Sequence, residues 1–237
     1  MDYGLMLKDL ESFYILLEEE RPSMFNLLTL AFFFSLSLGI LHGVNSYVLG
    51  YSKFNYLVDV AVLSMQGQGY SLEDIGVVLW GFEADILNSS IDMGLFTFAG
   101  KLSETLAISS ILYLIMRLLG SSINFIKVLQ VMVSLLIIPV VVFAFPVLLN
   151  VVSYHYIGNI SLLNTVVTSA FGWVIYYVTV GERLKFIGAL DGRRARMSVA
   201  PLSVMVALNI IWPVWWIYFH LFAVNNAVEV MFNSFGI

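Results

Sequence analysis

The 237-residue sequence has no cysteine and very little charge. Without thiols there is no disulfide, no thiolate nucleophile and no cysteine-held metal or cluster. Lys, Arg, Asp and Glu make up 11% of the residues and apolar types 60%, whereas a soluble domain is about a quarter charged. So few charges cannot coat a water-facing surface, and lipid must be the solvent for most of the chain. The mean hydropathy of +0.91 agrees. A formal net charge of −5 argues against a nucleic-acid partner, because phosphate binding needs a net basic face. The opening MDYGLMLKDLESFYILLEEE lacks the basic leader, uncharged core and small-residue cleavage site of a secretory signal. The sequence also lacks an HExxH helix, a GxSxG elbow, a GxxxxGK[ST] loop and a GxGxxG turn. No catalytic residue, metal or cofactor is expected, and the sequence points away from an enzyme.

Helices account for what is present. In residues 4–20, Met6, Leu7, Leu10, Phe13, Tyr14 and Leu17 recur at spacings of three and four, opposite Lys8, Asp9, Glu11 and Glu18–Glu20. Residues 1–21 therefore read as an amphipathic helix, lying on the membrane or docking a partner. The membrane domain, 22–237, is expected to hold five transmembrane helices at about 23–49, 102–120, 127–150, 161–181 and 201–223. Pro139 and Pro146 should kink the third. Residues 50–101 form an acidic insert with Asp59, Glu73, Asp74, Glu83, Asp85 and Asp92 against Lys53 and Lys101. It reads as short amphipathic helices on or dipping into the interface, broken at Gly67-Gln68-Gly69, with a second helix capped at Ser71.

Orientation follows from the cations. Gly181 to Ala200 holds Arg183, Lys185, Arg193, Arg194 and Arg196, five of the eleven Lys and Arg. Placing this loop in the cytoplasm puts the N-terminus inside and the C-terminus outside. Lys8, Arg21, Arg117 and Lys127 then also fall inside, and only Lys53 and Lys101 fall outside, a split of nine against two. The expected fold is an all-α polytopic membrane protein of the inner (plasma) membrane, with an external insert between spans one and two.

At Leu112 to Val131, LYLIMRLLGSSINFIKVLQV, the chain resembles the YIP-domain family, whose eukaryotic members interact with Rab GTPases. Leu118, Leu119, Gly120, Phe125 and Pro139 carry the resemblance: a span ending in a Leu-Leu-Gly turn, a short polar stretch, an aromatic, and a next span with an early proline. It implies five spans, a cytoplasmic N-terminus and a scaffold or trafficking-type adaptor. The family has no agreed catalytic residues to carry over, and the long insert departs from its pattern.

Four sets of residues are candidates for contact or binding. Ser35, Gly39 and Gly43 form a small-residue stripe, for tight packing within the chain or for a homodimer. His42, Asn45, Glu104, Asn150 and His220 are expected at one outer depth, as ordinary interfacial residues or as a site for a headgroup or cation. Asn209, Trp212, Pro213 and Trp216 surround an expected kink, as core packing or as a groove for a lipid chain or partner helix. The five loop cations face anionic headgroups or simply fix orientation. Two functions remain in view: a scaffold or accessory subunit of a membrane complex or homo-oligomer, and a lipid- or small-solute-handling protein.

Overall fold

A computed structural model describes residues 22–69, 71–156 and 162–211. Among these the chain is wholly helical: α1 (Met24–Gly67), α2 (Leu72–Leu118), α3 (Phe125–Leu135), α4 (Ile137–Tyr156), α5 (Leu162–Ile187), α6 (Gly192–Ser198) and α7 (Ala200–Ile211). Three stretches are long and apolar enough to cross a membrane: Met24–Ser52, Leu72–Leu118 and Phe125–Val152. Counting α6 and α7 as one span bent by 41° makes four. The amphipathic segment 1–21, Trp212, Pro213, Trp216 and His220 lie outside the described residues.

The insert is not a set of separate surface helices. Its two halves continue the flanking spans, giving α1 44 residues and α2 47, or about 66 and 70 Å at 1.5 Å per residue. Gly50 does not break α1, because the missing Cβ makes room for Ile86 of α2, whose Cγ2 would sit 2.8 Å from one. The break falls at Gly67-Gln68-Gly69, as the glycines suggest, with Gly69 at φ +85°. Ser71 then caps α2, its hydroxyl accepting from the Asp74 amide, and Glu73 and Asp74 complement the helix dipole. Ser71→Ala should lower stability by about 1 kcal/mol, read as a shift in thermal unfolding in detergent.

The two long helices run antiparallel, since Gly39 meets Gly94 and Phe98, Gly43 meets Ser90, and Gly50 meets Ile86. At its far end α2 stops in a glycine cap: Gly120, at φ +94°, donates to the Arg117 carbonyl and Ser121 donates to that of Met116. The side chain of Ser121 in turn donates to the Gly188 carbonyl beyond α5, tying two loops together.

The third span is interrupted at Leu136, as the early proline predicts. Pro139 has no N–H for the Leu135 carbonyl, so the helix breaks and restarts as α4. Its first half, α3, is buried all round from Val128 to Leu135, the polar Gln130 and Ser134 included. It forms the central rod of the bundle. Val128, Val131, Met132 and Leu135 join Leu38 of α1, Ile108, Leu112 and Met116 of α2, and Trp173, Tyr176, Val180 and Leu184 of α5 in the main core. The basic stretch after α5 is more ordered than a bare turn, because Gly192–Ser198 is helical.

Candidate functional sites: a polar centre and a projecting arm

Two oppositely charged groups inside the bundle, Lys101 and Glu104, stand together on α2. Lys101 and Glu104 lie one turn apart on the same helix face, and their ion pair is 2.6 Å long. The other carboxylate oxygen of Glu104 accepts from the Tyr177 hydroxyl of α5. Lys101 also donates to the Asn209 side-chain carbonyl of α7 at 3.2 Å and lies 3.9 Å from the centre of the Trp173 ring. The amide of Asn209 donates to the Met205 carbonyl within its own helix. The charges therefore neutralise each other, and three helices are joined at one point. Burying such a pair is tolerable only when the remaining donors and acceptors are occupied, and these five residues occupy them.

The depth of this centre follows from its neighbours. Leu102 and Leu106, beside the pair, pack with Leu27 and Ala31 of α1 and Leu129 and Val133 of α3. Tyr176, next to Tyr177, donates to the Met132 carbonyl. The pair is thus level with the central rod.

The residues expected at one outer layer separate into two levels. Asn150 donates to Asn45 at 2.9 Å, both side chains being buried, and His42 stacks on Phe143 at 4.2 Å between ring centres. From Ala31, level with Glu104, to Asn45 is 14 residues of α1, or about 21 Å along the axis. Glu104 therefore does not join the asparagine pair; it pairs with Lys101, which in turn reaches Asn209, from a different expected site. Sequence reasoning missed Lys101, Tyr177 and Trp173 as its partners. The one local signal was the i, i+3 spacing of Lys101 and Glu104, an arrangement that allows an ion pair on one helix face.

The small-residue stripe is occupied from within. A Cβ on Gly39 would lie 2.6 Å from the Gly94 carbonyl oxygen, and one on Gly43 would lie 3.1 Å from that of Ser90. Ser35 is fully buried. The stripe seats α2, so this surface is not free for a second copy.

The cations collect at the end of the bundle where α2 and α5 stop. Lys185 pairs with Glu182 at 2.6 Å, Arg183 lies 5.4 Å from the Phe186 ring, and Arg117 approaches the Ser121 carbonyl. Arg193, Arg194 and Arg196 are exposed on α6. Among the described residues no three His, Asp or Glu side chains are placed to hold a metal ion.

The opposite end carries an arm. The Asn45–Asn150 contact sets α1 beside α4, so that the end of α4 at Tyr156 falls near Tyr51. From there α1 runs on for 16 residues to Gly67, or about 24 Å, with α2 antiparallel beside it. Along α2, Val77, Trp80, Ala84, Leu87 and Ile91 are exposed at spacings of three, four, three and four. Val77 and Trp80 keep 68% and 75% of their surface, so the other described residues leave them uncovered.

Compared with known proteins, the chain matches no family model, no curated protein and no solved structure.

Proposed function

We propose that the chain is a five-span protein of the inner (plasma) membrane, N-terminus cytoplasmic, acting as a non-enzymatic scaffold or accessory subunit of a larger membrane complex. The observation that carries the reading is the α1–α2 arm, which extends past the other described helices and presents apolar side chains that no described residue covers. Its helices, at about 66 and 70 Å, exceed the roughly 40–45 Å of a bilayer with its headgroups, so part of each must stand in water. Exposed apolar rows there are characteristic of interaction surfaces. The self-neutralised polar centre supports the same reading, since it joins helices and leaves no unpaired charge for a substrate. The YIP-like stretch Leu112 to Val131 implies the same span number and an adaptor-type role.

The test is purification in mild detergent, with the partner expected to co-elute and to be lost when residues 54–84 are replaced by a short glycine-serine turn. A monodisperse monomer with no partner under all conditions removes the reading. Because the chain has no cysteine, single cysteines at Gly192 and Ser234 report topology directly. They should label from opposite sides of the membrane, and labelling from one side refutes five spans.

One observation favours a second reading, a lipid- or small-solute-handling protein: Lys101 and Glu104 keep 18% and 20% of their side-chain surface. A lipid retained in native mass spectrometry and lost in Asn209→Ala would support it.

A further inference from the structure

The arm's charge narrows the kind of partner it can take; this inference rests on the scaffold reading. Between residues 52 and 92 the chain carries Lys53 against Asp59, Glu73, Asp74, Glu83, Asp85 and Asp92. One cation against six carboxylates is −5, the entire formal net charge of the protein. From Leu72 to Gly100, α2 has no basic residue at all. Its apolar row repeats in the three-four pattern of a two-helix seam, and Asp74 and Glu83 occupy positions that flank that seam.

We propose that the Val77–Ile91 face of α2 docks one amphipathic helix of another protein, whose own apolar seam is flanked by Lys and Arg. Three other occupants fit the charge worse. A second copy would bring −5 against −5, and like charges beside a helical seam specify against pairing. An anionic bilayer surface attracts basic segments, not acidic ones. The chain's own tail, 224–237, has Glu229 as its one charged side chain and offers no cation. The row from Val77 to Ile91 spans 14 residues, about 21 Å of helix, enough for two heptads of a partner.

The test places the photoreactive residue p-benzoylphenylalanine at Trp80, or separately at Ala84, in the full-length protein in its native cells, and sequences the crosslinked peptide. The expected product joins both positions to one segment with apolar residues at three-four spacing and an excess of Lys and Arg. In the Glu83→Lys variant its yield should fall several-fold, since like charges then face each other across the seam. A crosslink to a second copy, to lipid, to residues 212–237 or to an acidic segment overturns the proposal, as does a yield unchanged by the charge reversal. If a partner co-purifies but never crosslinks at these positions, this inference fails while the scaffold reading stands. If no partner co-purifies, both fail.

Discussion

Glu104→Leu should destabilise the protein more than Glu104→Leu and Lys101→Met together. The single change removes the carboxylate that neutralises Lys101 and leaves the Tyr177 hydroxyl without its acceptor. An ammonium in the bundle would then keep only the Asn209 carbonyl and the Trp173 ring. Breaking a buried pair from one side costs about 3–5 kcal/mol, and the one-fifth exposure of these side chains puts the value toward the lower end. Removing both charges leaves only neutral groups, and replacing a buried pair with apolar residues of similar volume is often close to neutral. The measurement is unfolding in detergent, followed by the loss of helical circular dichroism, for wild type, the two single variants and the double. The centre as described does not survive if Glu104→Leu alone is as stable as the double variant. Nor does it survive if Tyr177→Phe, which deletes one hydroxyl, exceeds the carboxylate variant in effect.

The same pair shows where the sequence was and was not readable. The break at Gly67–Gly69, the Ser71 cap, the glycine turn after Leu119 and the interruption before Pro139 are local chemistry, set by residues within four or five positions of each other. Each could be read from the chain. So could the stripe Ser35–Gly39–Gly43, because small side chains at spacings of four allow close approach, although its partner, Gly94 and Ser90, could not. The polar centre depends on how three helices are rotated about their axes. Tyr177 is 73 residues from Glu104, and Asn209 is 108 from Lys101. In helices that are apolar on most faces, periodicity does not reveal which face turns inward.

The depth of Glu104 was hidden for a related reason. Its charge, and that of Lys101, suggested the end of a span, as ionisable groups usually do. In the structure the two satisfy each other and α2 continues past them in both directions. The acidic residues from Asp59 to Asp92 misled in the same way. They interrupt the hydropathy but not the helix: on α2, Glu73, Asp74, Asp85 and Asp92 are exposed while Ile75 and Ile86 still face inward. Hydropathy reports solvent, whereas helix continuity fails only where breakers act together: Gly67 and Gly69, two positions apart, end α1, while Gly50, Gly76, Gly81, Gly94 and Gly100 are carried inside the helices.

Gly39→Ala should destabilise the protein, although alanine favours a helix over glycine by about 1 kcal/mol. The new methyl would sit 2.6 Å from the Gly94 carbonyl oxygen and 2.9 Å from the Phe98 Cβ. The nearer neighbour is backbone and cannot rotate away, so α1 and α2 must separate along their contact. Opening that contact also loosens Gly43 against Ser90 and the core around Leu38. Overpacking of this kind costs typically about 1–3 kcal/mol, and here it must first cancel the helix-propensity gain. Gly76→Ala and Gly81→Ala are the controls, because a Cβ at either position of α2 meets nothing within 4 Å. Each should raise stability by about 0.5–1 kcal/mol. The three variants, compared by unfolding in the same detergent, should therefore move in opposite directions. If Gly39→Ala instead stabilises to the same degree as Gly76→Ala, α1 and α2 do not pack at the stripe, and the register that places both the polar centre and the arm fails with it.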